Sequence, residues 1–96
     1  MNTPESLIQT VLSSPFWQER RDAALALARL PGVETRKALE EALNDPDEDV
    51  LHAAILALGE AGDEEIVEYL LLPRFLHHTN PQIRWATLQT IGKIGQ

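Results

Sequence analysis

The sequence predicts an all-α fold: a single-domain solenoid in which three antiparallel helix pairs stack side by side. Three observations carry this. "VLHAAILALGEAG" (50–62) and "IRWATLQTIGKIG" (83–95) share one outline 33 positions apart, pairing Val50 with Ile83, Ala53 with Ala86, Leu58 with Ile91 and Gly59 with Gly92. An offset of 31 toward the N-terminus pairs Pro46 with Pro15, Leu56 with Leu25, Ala57 with Ala26 and Leu58 with Leu27. Between these segments lie shorter runs with apolar residues at helical i, i+3, i+4 spacing, and there is neither sustained two-residue alternation nor an Asn-Gly or Asp-Gly turn. Self-similarity at a fixed period of this size marks stacked supersecondary units, none of which buries its apolar face alone.

Helices are expected near 4–13, 16–29, 34–43, 50–61, 64–77 and 82–94, forming units of about 4–31, 33–62 and 63–95 within one domain, 1–96. The first helix carries Leu7, Ile8, Val11 and Leu12 on one face. In the second, Glu19 stands where the other units have Val50 and Ile83, and Ala28 where they have glycine. The third repeats the apolar face as Ala38, Leu39, Ala42 and Leu43. Before the fourth, Asp45-Pro46 supplies a capping oxygen and a proline for the first turn. Its core residues are read as Val50, Ala54, Ala57, Leu58 and Ala61, small enough for neighbouring helices to approach closely. Asp63, Glu64 and Glu65 open the fifth, where carboxylates suit the positive helix end; Ile66, Val67, Leu70 and Leu71 are its apolar face, and Pro73 breaks it near Leu72. Asn80-Pro81 opens the sixth in the manner of Asp45-Pro46. Gly32, Gly62 and Gly95 close the pairs as residues that tolerate positive φ.

"DPDEDVLHAAILALGEAGD" and "TNPQIRWATLQTIGKIG" resemble the signature helix of HEAT-like repeats, particularly the short variety first noted in phycobilisome lyases, whose pattern runs D-x-D-x-x-V-R-x-x-A-x-x-A-L-G-x-I-G-D. The resemblance covers almost the whole chain, strongly in units two and three and more weakly in unit one. It implies a superhelix whose signature helices line a concave face, and a ladder of buried Arg–Asp contacts. Leu51 stands where that family has Arg and only Arg84 is read as keeping it, so the ladder is expected to be incomplete.

Net charge −7 is unevenly spread: residues 40–68 hold eleven acids and no Lys or Arg, whereas both flanks are net positive. Such an acidic waist repels a phosphate backbone, whose binding depends on cationic side chains displacing counterions. Nucleic acid is not an expected partner; a protein with a basic surface is. No run approaches the ~20 apolar residues of a membrane span, and "MNTPESLIQTVLSS" lacks the basic and apolar regions of a signal peptide, so a soluble cytoplasmic protein is expected.

Catalysis and cofactors are not expected. There is no cysteine, Ser6, Ser13 and Ser14 sit in no nucleophile elbow, and "GEAGD" follows a helix where a phosphate-binding loop would follow a strand. His77 and His78 are adjacent and cannot share a helix face as metal ligands. The iron-binding HEAT-like deoxyhypusine hydroxylases use His-Glu pairs, and no His-Glu dipeptide exists here. Asp45, Asp47, Glu48 and Asp49 are explained by capping and helix-dipole effects.

The helix face opposite the core carries Asp49, His52, Leu56 and Glu60 in unit two. The same register gives Gln18, Arg21, Leu25 and Arg29 in unit one, and Gln82, Trp85, Gln89 and Lys93 in unit three, with Trp17 at the rim. This stripe is the expected partner-binding face. Trp85, Leu56, Leu25 and His52 are its apolar and aromatic contacts, Arg21, Asp49 and Glu60 its orienting charges, and Gln89 and Trp17 flanking contacts. The competing expectation is structural, with Trp85 sealing the end of the stack and Trp17 plugging unit one. The function read from this is a protein-interaction scaffold binding on the concave face. The alternative is a non-catalytic accessory subunit of an enzyme or chromophore-protein maturation or degradation system, and a third reading is a piece of a longer solenoid. Ile91 and Ile94 are thinly covered at the C-terminal end, and a homodimer through that end would cover them.

Overall fold

The computed structural model describes residues 3–30, 32–61 and 64–95. Among them are seven helices and no strand: α1 (Pro4–Ser13), α2 (Trp17–Leu27), α3 (Val33–Ala42), α4 (Glu48–Ala61), α5 (Ile66–Leu70), α6 (Pro73–Leu76) and α7 (Pro81–Ile94). α1 packs on α2, α3 on α4, and the broken pair α5–α6 on α7, while α2, α4 and α7 lie side by side with α4 in the middle. The shortest dimension of the molecule is 14 Å between Cα atoms. Two helix layers need about that: an interaxial distance of 8–10 Å plus a Cα radius of ~2.3 Å on each side. This is the all-α HEAT-like stack that the repeats predict.

Local chemistry sets the helix ends. The Thr3 hydroxyl accepts from Ser6 N at 3.1 Å, with Pro4 in the first turn. Asn80 Oδ1 accepts from Gln82 N at 2.8 Å and Pro81 opens α7. Unit two differs from expectation. Pro46 lies outside α4, and the cap is Asp47, whose Oδ1 accepts from Asp49 N and Val50 N at 2.9 and 3.1 Å. Asp45 is freed for another contact. α5 ends at Leu70, and Leu72 is extended (ψ 145°) before Pro73 starts α6, as a proline that cannot continue a helix requires. The break re-aims the chain so that Phe75 is buried. Gly32 has φ 131°, a conformation that disfavours any side chain, whereas Gly95 is right-handed (φ −73°), contrary to expectation. Gly62 and Asp63, read as closing one pair and opening the next, lie outside the described residues.

The burial pattern along the second helices records the stacking. Ala23 and Leu27, Ala54 and Leu58, and Thr87 with the half-buried Ile91 occupy equivalent positions facing each unit's own first helix. Glu19, Asp22 and Ala26 are exposed in α2, but their equivalents Val50, Ala53 and Ala57 in α4, and Ile83, Ala86 and Thr90 in α7, are buried. That column faces the preceding layer. The opposite column behaves in reverse: Ala24 and Ile55 are fully buried while Leu88 is 57% exposed, so it faces the following layer. The contacts agree. A Cβ built on Gly59 would stand 3.1 Å from the Thr90 side chain, and Thr90 Oγ1 donates to Ile55 O at 3.4 Å. Small side chains in α4 thus serve close approach on both flanks, as its composition suggests.

Ala61, expected in the core, is exposed; as the last residue of α4 it faces an open cleft toward Ala28, Arg29 and Arg36. Ile91 and Ile94, read as thinly covered, are half-buried against the core.

Candidate protein-binding face

Three layers share one local device where the chain enters each second helix. Phe16 N donates to Ser14 Oγ (3.2 Å), Asp47 N to Asp45 Oδ1 (2.9 Å), and Asn80 N to His78 Nδ1 (3.0 Å). Six residues beyond the first of each pair stand Arg20, Leu51 and Arg84. Arg20 Nη1 donates to Ser14 O at 2.9 Å and Arg84 Nη1 to His78 O at 2.7 Å, each closing the turn with a guanidinium. Arg20 therefore occupies the family's Arg position, contrary to the reading that Arg84 alone does. The 31-residue offset sets Arg20 under Leu51, a signal that sequence reasoning passed over.

Arg20 carries the Arg–Asp rung. Its Nε and Nη2 donate to Asp45 Oδ2 and Oδ1 at 2.8 and 3.2 Å, with side chains 15% and 7% exposed. The Asp45 hydrogen bond, reinforced by the charges of Asp45 and Asp47 against a smaller opposing desolvation, raises the Arg20 pKa above its ordinary value. The next rung is missing at both ends, since Leu51 replaces the donor and His78 the acceptor. Leu51 is buried instead, and the polar link between these layers moves outward: Asn80 Nδ2 donates to Glu48 Oε1 at 2.9 Å, with His78 Nε2 3.9 Å from Glu48 Oε2. Arg74, on the outer layer, lies 4.4 Å from the Phe75 ring centroid and donates to Tyr69 Oη and Asn44 Oδ1, another inter-unit contact that sequence reasoning missed.

The solvent stripe is exposed over most of its length. Gln18, Leu25 and Arg29, then Asp49, Leu56 and Glu60, then Gln82, Trp85, Gln89 and Lys93 are exposed, whereas Arg21 and His52 are half-buried. Leu25 is 44%, Leu56 36% and Trp85 62% exposed, so Trp85 is not sealed into the stack. Trp17 is half-buried beneath Arg21, whose guanidinium carbon is 5.1 Å from the Trp17 ring centroid. Arg21 also pairs with Asp22 at 3.0 Å and is less free to orient a partner than its place in the stripe suggests. Glu60 accepts from Lys93 Nζ at 2.8 Å across two layers, and this bond holds its carboxyl below the usual carboxylate range. Two open grooves run between the second helices: one of about 250 Å³ lined by Leu25, Leu56 and Glu60 among others, and one of about 640 Å³ lined by Leu56, Leu88, Gln89 and Lys93 among others.

Among the described residues no three His, Cys, Asp or Glu side chains come together as a metal site, and no helix is long and apolar enough to cross a membrane. The stacked pairs and their solvent stripe define an α-solenoid repeat protein. The family model for HEAT repeats matches residues 4–72, well over half of the chain, and the chain belongs to that family. HEAT repeats are commonly protein-interaction scaffolds and generally non-catalytic. Comparison with the curated proteins finds none that matches.

Proposed function

We propose that this protein is an interaction scaffold that holds a partner polypeptide along the concave stripe of α2, α4 and α7, with Leu25, Leu56 and Trp85 as anchors. One observation carries the reading: these three large apolar side chains stay exposed on one solvent stripe, Leu25 and Leu56 at equivalent positions and Trp85 one turn before the equivalent Gln89, while the core cluster behind them forms without their help. Exposed aromatic and aliphatic side chains beside open grooves are the usual material of binding hot spots. His52, Gln89 and Trp17 border these anchors, and Arg21, Asp49 and Glu60 supply the charges that orient a partner. The acidic waist favours a partner with a basic surface, acting mainly on association rate.

The test uses two variants and two measurements. Leu56→Asp and Trp85→Ala alter solvent-facing positions, so thermal melts should move little. Affinity for a partner recovered from the source cell should fall, by about 2 kcal/mol or more if Trp85 is a central anchor. Lost stability with affinity intact overturns the reading.

A further inference from the structure

Equivalent positions recur from layer to layer within the chain, so its own junctions specify what a further layer would meet, and each end of the molecule shows half of such a junction. At the C-terminal end the stripe that receives a following layer is bare: Arg84, Leu88 and Gly92, equivalent to Arg20, Ala24 and Ala28 and to Leu51, Ile55 and Gly59. Leu88 is 57% exposed where Ile55 is fully buried, and a Cβ on Gly92 would meet nothing within 4 Å where one on Gly59 would meet Thr90. Arg84 is set like Arg20, with Nη1 closing its own turn on His78 O and Thr79 O. The two groups that Arg20 gives to Asp45, Nε and Nη2, have no hydrogen-bond acceptor among the described residues in Arg84.

At the N-terminal end the column that meets a preceding layer is bare in turn. It comprises Glu19, Asp22 and Ala26, with Leu12 beside it, 50% exposed where its equivalent Leu43 is 2% exposed. Ser14 stands where Asp45 stands one layer on, and has no carboxylate of its own. Its hydroxyl instead donates to Glu19 Oε1 at 2.6 Å, which brings a carboxylate to that corner. Carrying the in-chain equivalences across a junction places Arg84 opposite Ser14 and the Glu19 carboxylate bonded to it, small Gly92 opposite small Ala26 as Gly59 lies against Thr90, and the uncovered Leu88 and Leu12 at the same junction.

We propose that copies of this chain stack head to tail, the Arg84–Leu88–Gly92 stripe of one copy receiving the Ser14–Glu19 corner, Ala26 and Leu12 of the next. The stack continues the solenoid across the junction, and Arg84 and Glu19 supply the rung that Arg20 and Asp45 form inside the chain. Such a contact is heterologous and leaves a free end on each side, so it grows as an open array and not a closed dimer. The partner-binding stripe is lengthened by stacking, with Trp85 brought to the half-buried setting of its equivalents Arg21 and His52. Net charge −7 per copy opposes assembly by self-repulsion, and Asp22, at the position of buried Ala53 and Ala86, brings a carboxylate with its Arg21 partner to the junction, so the junction is weak and concentration-dependent.

Analytical ultracentrifugation at rising concentration tests it. The unmodified chain should pass beyond dimer mass as concentration increases. Leu88→Glu blocks the tail and Ala26→Glu the head; both positions are exposed, so helix content and melting temperature should be kept while each variant alone stays monomeric. An equimolar mixture leaves one productive junction and should stop at a 1:1 dimer. Arg84→Glu and Glu19→Arg should each weaken association about tenfold or more, and the double variant should recover it, because the charges are exchanged and not removed. A chain that stays monomeric to about 1 mM, an Ala26→Glu variant that still self-associates, or a charge exchange that restores nothing overturns the proposal.

Discussion

Asp45 and Glu60 differ in what surrounds them, and the difference decides what each can contribute. Asp45 accepts from Arg20 through both oxygens and from Asp47 N, largely out of water. Asp45→Ala removes both oxygens that accept these three hydrogen bonds and leaves Arg20 Nε and Nη2 without their acceptor, which should cost about 1–3 kcal/mol in denaturant melts. Asp45→Asn, which retains an acceptor for Asp47 N, should cost less, and equal losses would show the charge to matter and not the turn. Glu60 is exposed, so its bond to Lys93 acts through titration more than through stability. Its folded pKa is depressed, first by the Lys93 hydrogen bond, then by the charge of Lys93, with Arg29 a smaller contributor. A depressed carboxylate contributes stability above its unfolded pKa and loses it as pH falls through the folded value. The contribution should therefore be present at neutral pH and vanish below the ordinary carboxylate range. Carbon-detected NMR titration should place the Glu60 midpoint below that of free glutamate, and Lys93→Ala should return it upward; an unmoved midpoint would remove Lys93 as the cause.

At the scale of a helix, Gly59 and Gly92 are the same letter in the repeat and opposite in consequence. Gly59 lies against Thr90, a β-branched side chain with a stiff χ1 whose hydroxyl is bonded to Ile55 O. Gly59→Ala must displace it, and the overpacking should outweigh the gain in helix propensity, for a net loss of about 1–2 kcal/mol. Gly92→Ala meets open space and should stabilise the dilute monomer by about 0.5–1 kcal/mol. Equal effects in thermal melts would mean α4 and α7 are not stacked as described. The pairing of Gly59 with Gly92 was legible in the sequence; that Gly59 is pressed against Thr90 was not, because a repeat pattern carries no record of which side chain of the next layer each position meets. The exposed stripe of Leu25, Leu56 and Trp85 was legible for the complementary reason: helical periodicity alone separates it from Ala54 and Leu58. The cap at Asp47 and the rung at Arg20 were missed because acids at a helix start look interchangeable, and because Arg20 sits in the unit where the pattern is weakest.

For the molecule as a whole, stability in a stacked array is a sum of each layer's own stability and its nearest-neighbour terms. α4 has neighbours on both flanks and α3 behind, and eight of its fourteen residues are buried. α2 and α7 each lack a neighbour on one side, and their junctions with α4 are unequal. The first has the sheltered Arg20–Asp45 rung, whereas the second replaces it with buried Leu51 and the more exposed Glu48–Asn80 and Glu60–Lys93 contacts. Exposed polar links resist opening less than packed or sheltered ones. Hydrogen exchange at low protein concentration should therefore rank protection as α4 slowest, α2 next and α7 faster. The open Leu88 stripe of α7 adds to that inequality, and it makes the ranking sensitive to concentration. Raising the concentration should slow exchange in α7 and in α1–α2 together while leaving α4 unchanged, because stacking covers the two ends and not the middle. Slower exchange in α7 than in α4 in the dilute sample would contradict the layer order, and protection gained at only one end would replace an open array with a junction between like ends.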